Sequence, residues 1–221
     1  MFSSVEFAQK REHLLAGLKR EGYVRSPAVE RAFRNVPRER FLEIKRHAMA
    51  YIDTPQPILE GQTMSAPSMI AIMLEAAGLE SGNRVLEVGT GSGYNAALLA
   101  EIVGAENVVT IERHDALVEW GRGNLQAAGY GAVTVVHGDG SQGWPEGHPY
   151  DRIMATAGSP RIPESWIAQL REGGRIIAPI GPGTYEQTLI VGIKKGGRLK
   201  TRQDVACAFV PLIGKEGWKG F

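Results

Sequence analysis

Short apolar segments alternate with segments of helical periodicity between residues 84 and 181. The predicted strands are RVLEVG, NVVTIER, VTVVHGD, YDRIMAT and RIIAPIG. The predicted helices are YNAALLAEIVG, DALVEWGRGNLQAAG and PESWIAQLREGG. Buried strands that alternate with helices usually form a parallel sheet with helices on both faces. The pattern therefore predicts an α/β fold with a Rossmann-like, doubly wound and mostly parallel sheet.

Before this region the pattern predicts an N-terminal helical extension and a loop. Residues 5–20 form a predicted amphipathic helix. The candidates for its apolar side are Val5, Leu14, Leu15 and Leu18. Ser26 and Pro27 have the residue types of an N-cap and a first helical position, and they predict a helix to about Asn35. Residues 50–67 are rich in proline and lack periodicity, which predicts a long loop of the kind that is often functional.

Two further elements complete the predicted order. A helix is predicted from Ser65 to Ala77. The segment 187–213 predicts hairpin-like antiparallel strands at the C-terminal end of the chain, with a turn at Gly196-Gly197.

The turn after the first predicted strand contains glycine at positions 89, 91 and 93. Such a turn exposes backbone N–H groups at the start of a helix, which suits a carboxylate or a hydroxyl-rich ligand. The dinucleotide motif G-x-G-x-x-G requires its third glycine where this chain has Tyr94. This difference argues against an NAD-dependent oxidoreductase.

Acidic residues follow the next two predicted strands. Glu112 lies 21 residues after Gly91, where a carboxylate that accepts both ribose hydroxyl groups is expected. Asp139 precedes Gly140, and its carboxylate is a candidate acceptor for an adenine amino group. A glycine turn alone also occurs merely to close a strand–helix unit. Together with two acidic strand ends at the same sheet edge, it predicts a nucleotide-like ligand.

Composition excludes several classes of protein. Hydrophobic residues are 43% and charged residues 22% of the chain, as in ordinary globular proteins. The net charge of +1 gives no reason to expect binding to nucleic acid or to an anionic membrane. We expect neither a signal peptide nor a membrane span, and the single Cys207 favours a cytoplasmic location. The five histidines lack metal-ligand spacing, so no metal is expected.

Several segments resemble known motifs. VLEVGTGSGY, TIER and GDG resemble the cofactor motifs of class I S-adenosylmethionine-dependent methyltransferases. VPRERF, AYIDTPQPI, GQTMSAP, PYDRIMATAGSPRIP, QLREGGRIIAPIG and FVPLIG resemble the protein-L-isoaspartate O-methyltransferase family. The resemblance extends over residues 36–214, and GQTMSAP is its most specific element. The chain departs from the family at Leu59, which is often glycine, and at TAGSP, which is often TAAAP.

The resemblance implies an enzyme that transfers a methyl group from S-adenosyl-L-methionine to the carboxylate of L-isoaspartyl residues. The second product is S-adenosyl-L-homocysteine, and the ester collapses to a succinimide, which begins protein repair. The implied partners are isoaspartyl-containing proteins and peptides, and we favour a monomer without nucleic-acid or membrane partners. We expect one methyltransferase domain over residues 1–221. Its parts are N-terminal helices and substrate loop (1–60), cofactor-binding core (61–181) and C-terminal strands (182–221).

The resemblance also implies roles for individual residues. Ser65 in GQTMSAP is the expected catalytic residue. The expected cofactor-binding residues are Thr63, Met64, Ser65, Glu87, Gly89, Thr90, Gly91, Glu112, Arg113, Asp139 and Gly140. The expected substrate-binding residues are Ser65, Phe209 and Val210. Asp53 in the loop is a further substrate-binding candidate, although exposed loop aspartates more often form turns.

The chemistry limits what Ser65 has to do. An aspartyl-type carboxyl group has a pKa near ~4, so the acceptor is ionised at neutral pH without a general base. We expect Ser65 to orient this carboxylate from a helix N-terminus; the alternative is that it only caps the helix. Three alternatives stay open for the chain. They are a methyltransferase for another small-molecule or protein carboxylate, an NAD-dependent oxidoreductase and a catalytically silent cofactor-binding protein.

Overall fold

A seven-stranded sheet forms the centre of the protein and confirms the predicted α/β class. The computed structural model describes residues 3–183 and 186–220. The predicted N-terminal and C-terminal parts therefore include a few residues outside the described ranges. The strands in chain order are β1 (Gln56–Pro57), β2 (Thr63–Met64), β3 (Val85–Val88), β4 (Val108–Glu112), β5 (Thr134–His137), β6 (Tyr150–Ala155), β7 (Leu170–Ile180), β8 (Gln187–Lys195) and β9 (Arg198–Cys207).

The order of strands in the large sheet is β5-β4-β3-β6-β7-β8-β9. The pairs from β5 to β7 are parallel, whereas β8 pairs antiparallel with both β7 and β9. The chain leaves β3 towards β4 on one side and later returns to β6 on its other side. This reversal creates a crevice beyond the carboxyl ends of β3 and β6, where ligands bind in sheets of this kind.

In the part of the chain that the structure describes, six α-helices accompany the strands: α1 (Ser4–Arg20), α2 (Pro27–Asn35), α3 (Pro67–Ala77), α4 (Tyr94–Val103), α5 (Asp115–Ala127) and α6 (Glu164–Gln169). Within the described ranges, none of them is long and apolar enough to cross a membrane. Leu15 and Leu18 are buried on α1 as predicted, but the prediction for Val5 is wrong because this side chain is exposed. In the first turn of α1 the buried apolar residue is Phe7.

The core consists of two apolar clusters, one on each face of the large sheet. Consecutive strand residues contribute alternately, since successive side chains point to opposite faces. Ile176 belongs to one cluster and Ile177 to the other. Residues of α3, α4 and α5 join the cluster of Ile177, whereas Trp166 of α6 joins that of Ile176. The predicted three-layer arrangement is therefore confirmed.

The predicted loop at residues 50–67 contains a small antiparallel sheet. Gln56 of β1 pairs with Met64 of β2, and a short 3₁₀ helix joins the two strands. The loop is followed by α3, which begins at Pro67 and not at Ser65. Proline suits a first helical position and disfavours helical geometry in the residue before it. Ala66 is accordingly the extended N-cap residue.

The helix predicted over residues 163–174 is only partly correct. It ends at Gln169, and the chain continues as β7. The Lys194 Nζ atom donates hydrogen bonds of 2.7 Å to the carbonyl groups of Ile167 and Leu170, which satisfies acceptors at the end of the helix. Gly173 then has a φ angle of +76°, which a continuing helix does not tolerate.

Candidate functional site

The glycine turn follows β3 and leads into α4. The φ angles of Gly89, Gly91 and Gly93 are +102°, +52° and +87°, in the region that favours glycine. A Cβ atom on Gly89 would lie 2.4 Å from Thr156 Oγ1, so this position also lacks room for a side chain. The Thr156 hydroxyl group donates to the Gly89 carbonyl oxygen at 2.8 Å. The residue after β6 thus fixes the start of the turn after β3.

Glu112 at the end of β4 is bound to the glycine turn. Its Oε2 atom accepts a hydrogen bond of 3.0 Å from the Gly91 N–H group. Its Oε1 atom accepts from the N–H groups of Arg113 and His114, at 2.8 and 3.1 Å. A carboxylate has about four acceptor sites, so one is left for a ligand hydroxyl group. Glu112, the residue predicted to bind the ribose, therefore also holds the glycine turn in place.

Glu87 lies beneath the turn and is completely buried in β3. Asn95 Nδ2 and Thr110 Oγ1 donate hydrogen bonds to its two carboxylate oxygens, at 2.7 and 2.5 Å. Burial raises the pKa of Glu87 to about 7, against the lowering effect of these two hydrogen bonds, and the nearby Glu112 adds to the increase. Glu87 therefore binds a proton across a pH range in which an exposed glutamate has lost it.

This raised pKa predicts a pH-dependent stability. Glu87 keeps its proton between about pH 4.5 and 7 in the folded protein but not in the unfolded chain, so its contribution to stability falls as the pH rises. Relative to Glu87→Gln, the unmodified protein should therefore lose about 3 kcal/mol in free energy of unfolding from pH 4.5 to 8. Urea unfolding at several pH values measures it. The exposed Glu119→Gln is the control, and an equal slope for both variants would contradict the prediction.

A cavity opens beside the glycine turn at the carboxyl ends of β3, β4 and β6. The predicted site residues that line it are Thr63, Met64, Ser65, Gly89, Thr90, Gly91, Glu112, Arg113, Gly140 and Val210. The predicted site residues that do not line it are Asp53, Glu87, Asp139 and Phe209. The structure thus brings the glycine turn, the acidic end of β4 and the GQTMSAP loop to one place, although they are far apart in the chain.

Asp139 has protein partners for both carboxylate oxygens. Oδ1 accepts from the backbone N–H and hydroxyl groups of Ser141, at 2.9 and 2.7 Å. Oδ2 accepts from Gln142 Nε2 at 3.1 Å and from the Lys215 N–H group at 2.8 Å. The neighbouring Gly140 reaches the cavity, so Asp139 fixes the pocket wall and connects it to the C-terminal segment. Its contact with an adenine amino group stays a prediction.

The side chain that caps α3 is that of Asp53 and not that of Ser65. The hydroxyl group of Ser65 does not cap α3, so the capping alternative is wrong. Asp53 Oδ1 instead accepts a hydrogen bond of 2.8 Å from the Ser68 N–H group in the first turn of α3. The long loop thereby supplies its own cap for the helix. Ser65 lines the cavity, and its contact with a ligand stays a prediction.

The segment after β9 forms another wall of the cavity. Phe209 is buried, and its backbone N–H and carbonyl groups hydrogen-bond to the side-chain amide of Gln187, at 2.9 and 3.1 Å. This pairing places Val210 at the cavity, together with the three residues that follow it. Of the two predicted substrate-binding residues here, Val210 therefore reaches the cavity and Phe209 supports it from behind.

Sequence reasoning missed more than half of the described residues that line the cavity. The additional residues are Ile58, Gln62, Ile70, Met73, Val88, Ser92, Tyr94, Asn95, Ile111, His114, Leu117, Thr156, Ala157, Pro211, Leu212 and Ile213. Thr156 and Ala157 follow β6, and the rule that ligands bind beyond parallel strands would have found them. Arg38, whose guanidinium group binds the Ser65 carbonyl oxygen at 2.8 Å, lies in the segment VPRERF, to which the resemblance assigns no individual role.

A mostly parallel sheet with a glycine turn after β3 and a buried acidic residue at the end of β4 is the arrangement of a Rossmann-like nucleotide-binding domain. Comparisons identify the family. The sequence model of the protein-L-isoaspartate(D-aspartate) O-methyltransferase family matches residues 9–217. A match over this length shows that the chain belongs to this family.

Individual relatives agree with this assignment. The chain is 48% identical to a protein-L-isoaspartate O-methyltransferase from Pyrococcus horikoshii, over 99% of this chain and all of that protein. It is 46% identical to the enzyme of the same name from Hyperthermus butylicus, covering 97% of this chain and 93% of the relative. A solved Plasmodium falciparum structure from this family contains S-adenosyl-L-homocysteine. It has a TM-score of 0.81 and 29% identity, covering 92% of this chain and 98% of that one.

Proposed function

We propose that this chain transfers a methyl group from S-adenosyl-L-methionine to the carboxylate of L-isoaspartyl residues in damaged proteins and peptides. One observation carries the proposal. A single cavity has the glycine turn and Glu112 in its wall and also the GQTMSAP loop with Ser65. Membership of the family supports the reaction, and the S-adenosyl-L-homocysteine in the Plasmodium structure supports the donor.

The residues of the cavity fit such a donor. Glu112 has an acceptor site left for a ribose hydroxyl group after binding three N–H groups. Ile111 and Leu117 offer apolar contacts to an adenine ring, while Gly140 adds no side chain at the cavity wall. The glycine turn brings backbone polar groups close to the methionine part of the ligand. The donor, when bound, supplies the methyl group and the positive charge of its sulfonium.

The acceptor needs orientation more than activation. Its carboxyl group has a pKa near ~4, so no residue has to remove a proton at neutral pH. Ser65 offers a hydroxyl group that can donate one hydrogen bond and turn a carboxylate oxygen towards the donor. Met64 and Val210 contribute apolar surface that excludes water from this part of the cavity. Alignment of this kind can lower a barrier by ~7–11 kcal/mol.

A set of matched peptides tests the proposal. The first contains one L-isoaspartyl residue, the second has normal aspartate there, and the third has the isoaspartyl carboxylate replaced by a carboxamide. With donor labelled in its methyl group, we expect base-labile label in the first peptide only. The aspartyl peptide keeps a carboxylate of similar pKa in the wrong place, and the carboxamide lacks the nucleophile.

Other results would favour the remaining alternatives. Equal labelling of the aspartyl peptide would indicate a methyltransferase for other carboxylates. Tight binding of NADH and none of S-adenosyl-L-homocysteine would indicate an oxidoreductase. Binding of S-adenosyl-L-homocysteine without labelling of any peptide would indicate a silent cofactor-binding protein.

We propose further that the protein acts in the cytoplasm as a monomer and has neither nucleic acid nor membranes as partners. The net charge of +1 supports the lack of nucleic-acid and membrane partners, and the single cysteine supports the cytoplasmic location. Sedimentation velocity measures the oligomeric state.

A further inference from the structure

Arg38 is a fully buried cation directly behind the cavity wall. It begins the short 3₁₀ helix Arg38–Phe41, and none of its surface is exposed. Its Nη2 atom donates a hydrogen bond of 2.8 Å to the carbonyl oxygen of Ser65. The guanidinium carbon lies 4.8 Å from the centroid of the Tyr94 ring. Arg38 thus contacts two residues that line the cavity.

The guanidinium group is only partly satisfied. Its Nε and Nη1 atoms are buried without a hydrogen-bond partner in the described part of the chain. Burial lowers the pKa of Arg38, and Tyr94, Tyr51 and Asp53 act in the opposite direction. The Asp53 carboxylate accepts from the Ser68 N–H group and forms no ion pair with Arg38 within 4 Å. Among residues 3–183 and 186–220, no carboxylate therefore forms an ion pair that directly neutralises the charge of Arg38.

Such a charge is costly unless something compensates for it. An apolar side chain of similar volume usually packs at a buried position with less loss of solvation than a charge does. An anion that enters the cavity can compensate the charge of a cation behind the cavity wall, because the attraction between them is strong in a medium of low polarity. The acceptor in the proposed reaction is such an anion.

We propose that Arg38 is a positioning residue that directs the carboxylate of the acceptor peptide to Ser65. It fixes the carbonyl group of Ser65 and places a positive charge behind the loop that the acceptor meets. The inference rests on the proposed function, since it concerns how the same cavity selects the acceptor carboxylate. It adds a reason for the cavity to prefer a carboxylate over its neutral isostere.

Peptide binding in the presence of S-adenosyl-L-homocysteine tests the inference without any methyl transfer. The probes are the isoaspartyl peptide and the peptide with the carboxamide in place of that carboxylate. We expect the unmodified protein to bind the carboxylate form about tenfold more tightly, and Arg38→Met to lose this preference. Arg38→Lys keeps the charge and should recover most of it. The affinity of Arg38→Met for S-adenosyl-L-homocysteine should stay within about twofold, because Glu112 and the glycine turn are unchanged.

Arg152→Met is the matched control. Arg152 is also buried, but its guanidinium group donates to the carbonyl groups of Ala77, Gly78 and Asp151, and it does not line the cavity. This variant should melt at a lower temperature and still prefer the carboxylate peptide. If Arg152→Met loses the preference as Arg38→Met does, the effect is a general loss of stability and the inference is wrong.

The remaining outcomes separate the two proposals. If the unmodified protein binds neither peptide, the proposed function fails. If it prefers the carboxylate and Arg38→Met keeps that preference, only the inference about Arg38 fails. Where Arg38→Met does not fold, Arg38→Gln replaces it, since glutamine can still donate to Ser65 but carries no charge. Retention of the full preference by Arg38→Gln then overturns the role of the charge.

Discussion

Gly89→Ala should bind S-adenosyl-L-homocysteine at least about 100-fold more weakly than the unmodified protein. Its φ angle is +102°, which an alanine residue rarely adopts, and the added Cβ atom would lie 2.4 Å from Thr156 Oγ1. The turn must therefore move, and it carries both the Gly91 N–H group that binds Glu112 and part of the cavity wall. Titration calorimetry measures the affinity, and methyl transfer should fall in parallel.

Gly123→Ala is the matched control for this change. Gly123 lies in α5, has an ordinary helical φ angle and would meet no atom within 4 Å of an added Cβ. Alanine should stabilise this helix by about 0.5–1 kcal/mol and leave the affinity unchanged. The double variant Gly89→Ala, Thr156→Ala removes the closest clash but not the unfavourable φ angle, so it should recover part of the affinity. Normal binding by Gly89→Ala alone would refute this account of the turn.

The parallel part of the sheet was predictable because each of its strands is marked by a pattern of neighbouring residues in the sequence. Each strand of the parallel part is a short apolar segment, and each follows or precedes a segment with helical periodicity. The place of the ligand site then follows from a general property of such sheets, since polar and glycine residues stand at the ends of β3 and β4. For these reasons Gly91 and Glu112 were expected at the same edge of the sheet, and the hydrogen bond between them confirms that they lie together.

Contacts between distant residues account for what was not predictable. The end of α6 depends on Lys194, a side chain from another strand that binds carbonyl groups of the helix and of the residue after it. The cap of α3 comes from Asp53, which accepts a hydrogen bond from the N–H group of Ser68, 15 residues further along the chain. Helix propensity cannot reveal either partner, because a helix end is decided by whichever group satisfies its free backbone atoms. The wrong start of α3 has a local cause instead, because Pro67 favours the first helical position and disfavours helical geometry at Ala66.

The family motifs located the site more accurately than they explained it. Ser65 and Thr63 reach the cavity, whereas Glu87 and Asp139 lie behind its wall and are bound to protein groups. A motif shows that a residue type matters but not whether it touches the ligand or holds a residue that does. Burial and hydrogen-bond partners distinguish these two roles, and they are properties of the folded chain.

Ser65→Ala should lower kcat for the isoaspartyl peptide by about 100-fold, because it removes the one hydroxyl donor that we assign to the acceptor carboxylate. The affinity for S-adenosyl-L-homocysteine should stay within about twofold, since the ribose and turn contacts do not involve this hydroxyl group. Stability should also be unchanged. Ser65 does not cap α3, and its carbonyl group, which binds Arg38, is retained in alanine.

Ser68→Ala provides the comparison for Ser65→Ala. Ser68 lies three residues further on in α3 and does not line the cavity, and its N–H group still binds Asp53 after the change. Its kcat should therefore equal that of the unmodified protein. A fall in melting temperature for Ser65→Ala, with kcat intact, would assign the hydroxyl group to the loop structure and not to the reaction. Equal kcat and equal stability in both variants would mean that the acceptor is oriented by backbone groups and by Arg38 alone.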